Sequence, residues 1–204
     1  MERLQEMMNE FCDILNLKDP DDAFCQELTQ VLTGITADDI KKALQQTYGF
    51  GGWKPLNWAA KQGHGAIITA FLTAVPQEYR LKLLLQTNKY TALHSACRQV
   101  KIVNIILSHL TSDQKVKLIC SQSRNGSTPL HETVNWGKTD IAKIYLDNLS
   151  PEEQLKLIAA ADKDGLTVAK IADSKDDMEM EELLEEYQEK AEQNIKLAET
   201  QSGM

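Results

Sequence analysis

No apolar run in this chain of 204 residues approaches the roughly 20 that carry a helix across a bilayer, so membrane insertion is not expected. Met1-Glu2-Arg3-Leu4 leads into an amphipathic segment, not the apolar core of a signal peptide, and the chain is expected to act in a cytoplasm. Cysteine is sparse. Cys12, Cys25, Cys97 and Cys120 are separated by 13, 72 and 23 positions, which matches neither a zinc pattern nor a redox pair. Reduced, partly buried thiols behaving as small hydrophobes are expected, with no metal bound. A basic excess is missing too. Residues 173–192 carry ten acids and two lysines, which accounts for the whole net charge of −8. The remaining residues are neutral, so the clustered cations that displace counterions from nucleic acid are not expected.

Nucleotide fingerprints are absent as well. Gly49-Phe50-Gly51-Gly52-Trp53 is rich in glycine, yet it follows a helical pattern instead of a strand and has no Gly-Lys-Ser/Thr ending. A tight turn between packed units explains it better than a phosphate cradle, and no cofactor is expected.

What the chain does contain is a period. Lys54-Pro55-Leu56-Asn57, Thr91-Ala92-Leu93-His94, Thr128-Pro129-Leu130-His131 and Thr167-Val168-Ala169-Lys170 follow one another at spacings of 37, 37 and 39. A fixed period in this range is the signature of stacked repeats. Thr suits an N-cap, and Pro suits the first helical position, where no N–H is needed. A second recurrence, Leu81-Lys82-Leu83-Leu84, Val116-Lys117-Leu118-Ile119 and Leu155-Lys156-Leu157-Ile158, begins 27, 25 and 27 residues after its tetrapeptide. Its clearest start signal is Ser150-Pro151-Glu152-Glu153, with acids at the positive helix end. Each repeat is therefore expected to hold three helices. First helices are read at about 55–62, 92–99 and 129–136, and second helices at about 65–74, 101–110 and 139–148. The second repeat lacks two residues before its third helix, and the deficit is placed at Arg98-Gln99-Val100-Lys101, where no glycine ends the first helix as Gly63 and Gly137 do elsewhere.

Thr-Pro-Leu-His followed by x-Ala resembles the ankyrin repeat over about residues 54–172. The length of each unit exceeds the common repeat and resembles the longer ankyrin variants of intracellular bacteria. This resemblance implies an all-α ankyrin-repeat solenoid with an extra short third helix per repeat and helical caps at both ends. Residues 1–53 are then an N-terminal capping unit with helices at about 2–16, 21–33 and 37–47; repeats follow at 54–90, 91–127 and 128–166, with a degenerate fourth. Residues 173–204 form an acidic C-terminal cap and tail. The resemblance also implies that His94 and His131 bond back to the repeat's Thr side chain and to a neighbouring repeat's backbone. His64 belongs to a helix end, and His109, late in an outer helix, is expected to be exposed. No catalytic constellation remains, and an enzyme is not expected.

Such stacks bind proteins through the concave face made by first helices and the loops before them. By resemblance the contact positions are Trp53 and Tyr90 before the tetrapeptides, with Lys61, Gln62, Arg98, Gln99, Asn135 and Trp136 late in the first helices. Trp, Tyr and Arg are enriched in interface hot spots. A helix from about residue 177 presents Met180, Leu183, Leu184, Tyr187 and Ala191 on one side. It reads as a cap, with a coiled-coil dimer as the other use of that stripe; a monomer is expected, with 200–204 frayed. Its Glu181-Glu182-Leu183-Leu184-Glu185-Glu186 segment also resembles the Glu-rich export signals of type IV secreted bacterial effectors. The expected function is thus a non-enzymatic protein-binding module, an effector binding a host protein after secretion into the host cytoplasm, with a cytosolic scaffold, adaptor or enzyme-inhibiting protein as the alternative.

Overall fold

A computed structural model describes residues 22–34, 55–85 and 90–202, together with Glu6, Thr36, Asp38 and Asp39. Among them the protein is all-α. Helix α1 spans Asp22–Thr33; then come α2 (Pro55–Gln62), α3 (Gly65–Ala74) and α4 (Gln77–Leu84). The next triplet is α5 (Ala92–Ser95), α6 (Val100–Ser108) and α7 (Ser112–Ile119), followed by α8 (Pro129–Asn135), α9 (Thr139–Asp147) and α10 (Pro151–Ala159). The chain closes with α11 (Val168–Asp173) and α12 (Met178–Ser202). The first two expected N-terminal elements divide here: the second is α1, and the first, at 2–16, lies outside the described residues except for Glu6, as do Trp53 and most of the expected third helix.

Helix starts follow local chemistry. Thr111 and Ser150 each accept the backbone N–H three residues on, at 3.4 Å, while the Gln114 and Glu153 side chains reach back to the cap's own N–H at 3.1 and 2.9 Å. Both are capping boxes. α5 and α8 begin the same way with histidine in the returning position.

Packing repeats with the chain. α2, α5, α8 and α11 adjoin in that order, and so do α3, α6, α9 and α12, with α1 covering α3. The middle helices are the most apolar, burying Ile67, Ile68, Phe71 and Leu72 in α3, Ile102, Val103, Ile106 and Leu107 in α6, and Ile141, Ala142, Tyr145 and Leu146 in α9. Each fully buried side chain of this size contributes about 1.5–3 kcal/mol. Ala59 and Ala96 are wholly buried, as small residues between closely packed helices should be. Polar contacts join the outer edge: Gln77 Nε2 of α4 donates to Gln114 Oε1 of α7 at 2.6 Å, and Lys115 Nζ of α7 donates to Asn148 Oδ1 at the end of α9 at 3.0 Å.

Loops add a further link. Lys163 N–H donates to the Asn125 carbonyl at 2.9 Å, tying consecutive turns. Gly126 sits beside that bond with φ +80, and a Cβ there would lie 3.0 Å from Lys163 N. Gly63 and Gly137 follow α2 and α8 with φ +87 and +58.

Three expectations require correction. α5 does not run to residue 99; it ends at Ser95 after a single turn. Its unit is two residues short here, because middle helices begin ten residues after α2 and α8 begin (55 to 65, 129 to 139) but only eight after α5 (92 to 100). The shortened path closes with a tight bond, Gln99 N–H to the Ala96 carbonyl at 2.8 Å. His109 is only partly exposed: its Nδ1 lies 2.8 Å from the Ile105 carbonyl, and its own carbonyl accepts Gln77 Nε2 at 3.0 Å and Arg80 at 3.1 Å. Finally, α12 continues to Ser202, so 200–202 are helical where fraying was expected. Met180, Leu184 and Ala191 bury α12 against α9, α10 and α11, and the Tyr187 hydroxyl donates to the Asp147 carboxylate. No helix among the described residues is long and apolar enough to cross a membrane.

Candidate functional site

The first helices converge on one cleft. Because α2, α5 and α8 adjoin, residues late in each helix face a common space of about 540 Å³. Lys61 and Gln62 come from the end of α2, His94 and Ser95 from α5, and Cys97, Arg98 and Gln99 from the shortened turn after it. Glu132 comes from α8, Trp136 caps its C-terminus, and Tyr90 precedes α5. Six of the eight residues singled out from sequence therefore meet here: Lys61, Gln62, Tyr90, Arg98, Gln99 and Trp136. Asn135 is exposed at the end of α8 and does not line the cleft, and Trp53 lies outside the described residues.

Histidine sets the floor. His94 Nδ1 accepts the Thr91 backbone N–H at 3.2 Å and lies 2.7 Å from the Thr91 hydroxyl. With Nδ1 an acceptor, Nε2 holds the proton and donates to the Ser127 carbonyl, immediately before the next tetrapeptide, at 2.8 Å. His131 repeats the arrangement with Thr128 at 3.1 and 2.8 Å and with the Leu166 carbonyl at 3.2 Å. Asn57 occupies the corresponding place one unit earlier, and its side-chain amide donates to the Tyr90 carbonyl. A side chain from each unit thus holds the backbone carbonyl that immediately precedes the next tetrapeptide. Burial lowers both histidine pKa values, His94 to about 4, despite the bonds to Ser127 and Leu166 that oppose the shift.

The walls carry cations on aromatic faces. Arg98 lies over the Trp136 ring at 4.5 Å, although Trp136 stays half exposed, and Lys61 lies over Trp58 at 5.5 Å. These are the arrangements in which an aromatic quadrupole attracts a cation. Tyr90 packs on His94 with centroids 5.7 Å apart, and it also borders a smaller cavity of about 150 Å³ beside Ser123, Arg124 and Asn125.

Glu132 was not foreseen. It stands four residues after Thr128 and four before Trp136, so helical spacing puts it on the Trp136 side of α8, and that spacing could have found it. Burial pushes its carboxyl pKa up. Its negative charge, in turn, raises the pKa of Tyr90 and of Cys97, after burial as the main cause; the Cys97 thiol is pushed to about 11. Cys97 is therefore a protonated thiol at neutral pH, and both His94 nitrogens are already bonded. That pair is unsuited to nucleophilic catalysis, which needs a thiolate and a free base. Among the described residues no three His, Cys, Asp or Glu side chains come together as metal ligands.

Compared with protein-family models and with curated proteins, the chain matches none.

Proposed function

We propose that this protein is an ankyrin-type repeat solenoid that works as a non-enzymatic protein-binding module, with the cleft between α2, α5 and α8 at the centre of its contact surface. The repeat reading is supported by the three bonds from Asn57, His94 and His131, each to the backbone carbonyl immediately before the next tetrapeptide. The single observation that carries the binding reading is the cleft itself. Two exposed cations held over indole rings, a tyrosine and a half-buried carboxylate share one open space. These residue types supply large contact area at low entropic cost and charge-assisted hydrogen bonds, as interface anchors do.

A photo-crosslinking amino acid in place of Gln62, at the cleft wall, tests this reading. It should capture a protein that the same group in place of Lys143, on the outward side of α9, does not. Arg98→Ala and Trp136→Ala should abolish the product while leaving the circular-dichroism melt near that of the wild type. Equal capture from both positions, or capture indifferent to both alanine variants, would remove the cleft from consideration.

The proposal extends to a secreted effector acting on a host protein. Glu182, Glu185 and Glu186 are exposed on α12 while Met180, Leu184 and Ala191 anchor it, so a Glu-rich face is open to a secretion receptor without unfolding the cap. Type IV secretion that survives conversion of Glu181, Glu182, Glu185 and Glu186 to Gln would withdraw the effector reading and leave a cytosolic scaffold or inhibitor.

A further inference from the structure

We propose that the cleft receives a cationic side chain, a lysine or arginine of the partner protein, which pairs with Glu132 between Tyr90 and Trp136. This inference rests on reading the cleft as a protein-binding surface and adds the chemistry of the residue that enters it.

The choice between a cationic and an anionic occupant turns on which charge in the cleft lacks a partner. Arg98 already faces the Trp136 ring at 4.5 Å, and Lys61 faces Trp58 at 5.5 Å. Both are exposed at the rim. The Glu132 carboxylate is half-buried and makes no hydrogen bond or ion pair among the described residues. A charge partly withdrawn from water without a partner carries a desolvation cost that an incoming opposite charge offsets. An incoming carboxylate would instead approach the half-buried Glu132 with like charge. The rim cations do oppose a cationic guest. They stand in water, however, where salt screens them over about 8–10 Å, whereas Glu132 is shielded from that screening by its burial. The cleft also has room for a long side chain, since about 540 Å³ exceeds what one lysine stem fills. Such a stem can lie along Tyr90 and Trp136 while its head reaches the carboxylate.

Because the partner is not identified, the probe is a phage-displayed library of random dodecapeptides selected on the full chain. Clones whose binding is lost in Trp136→Ala define the cleft binders. Lysine or arginine should be enriched among them, Glu132→Gln should weaken them about tenfold or more, and Glu132→Asp should keep the preference. Selection on Glu132→Lys should favour Asp and Glu instead. A measurement on the unmutated protein guards against misfolding of these variants: the carbon-13 carboxyl shift of Glu132 should report a lowered pKa when a synthetic cleft-binding peptide is added. Cleft-binding clones without basic residues, clones insensitive to Glu132→Gln, or an unmoved Glu132 titration would overturn the cationic occupant and leave the protein-binding reading standing. If no clone depends on Trp136, the binding reading fails and this inference fails with it.

Discussion

His94→Ala should destabilise the protein by about 3 kcal/mol. Removing the imidazole leaves the Thr91 N–H and the Ser127 carbonyl without the partners they have at 3.2 and 2.8 Å. An orphaned buried polar group costs about 1–3 kcal/mol, and His94 is only 3% exposed, so water is poorly placed to replace it. Two such losses, at the lower half of that range, give the stated figure. For a chain of this size it corresponds to a fall in Tm of roughly 6–12 °C. His131→Ala should cost less, about 1–3 kcal/mol, because its bond to the Leu166 carbonyl is longer at 3.2 Å. Urea unfolding at pH 7.5 followed by circular dichroism measures both, and amide hydrogen exchange at 92–97 shows whether the loss is local, since a fold can open in parts.

The same histidine supplies a pH test whose sign is set by its environment. Folded His94 is held near pKa 4 against an ordinary value of 6.5, so between these the unfolded chain binds a proton that the folded chain refuses. Stability from this group is complete above pH 6.5 and falls as pH drops towards about 4, by about 3 kcal/mol in all. The difference between wild type and His94→Ala should therefore shrink on going from pH 7.5 to pH 4.5. Comparing the two proteins cancels the titration of Glu132 and the other carboxylates. A difference that stays constant across this window, or an unchanged urea midpoint at pH 7.5, would refute the role given to the imidazole.

Much of this site was legible because its causes are local. The 37-residue period located the starts of α5 and α8, and the Ser150-Pro151-Glu152-Glu153 signal located α10. The two-residue deficit was placed at the right turn, since glycine closes α2 and α8 but not α5. Its consequence was not legible. Periodicity alone continues α5 through Gln99, whereas the chain must reach Val100 in time to pack α6 on α3, and that tertiary demand ends the helix at Ser95. The same turn carries Arg98 to Trp136, a contact between units that no local pattern encodes. Glu132 escaped for another reason: a lone acid on a polar helix face reads as solvated until the neighbouring unit covers it. His109 was misjudged similarly, because its partners Gln77 and Arg80 lie about thirty residues away.

Gly126→Ala should cost about 1–2 kcal/mol, as an L residue at φ +80 is disfavoured and the added methyl would meet Lys163 N at 3.0 Å; an unchanged thermal melt would contradict that crowding. Deleting 178–202 should expose the surface under Met180, Leu184 and Ala191 and lower the melting temperature, while Glu181, Glu182, Glu185 and Glu186 changed together to Gln should fold normally; the reverse ranking would show that charge, not the apolar stripe, holds the cap. In the native protein Cys97 should alkylate more slowly with iodoacetamide than Cys120, which mass spectrometry resolves site by site, because Cys97 is the more buried of these two free thiols. Arg98→Ala should change folding stability by no more than about 1 kcal/mol, the usual worth of an exposed cation over a ring. Its effect on partner affinity should be larger, about 2 kcal/mol or thirtyfold, since an interface would enclose the Arg98–Trp136 pair and remove the water that weakens it in the free protein. Arg98→Lys separates charge from shape: it keeps the cation but loses the flat guanidinium that stacks on the indole, and should recover only part of the affinity. Full recovery by lysine would mean that the cleft reads charge alone, and wild-type affinity in both variants would mean that the partner does not touch this turn.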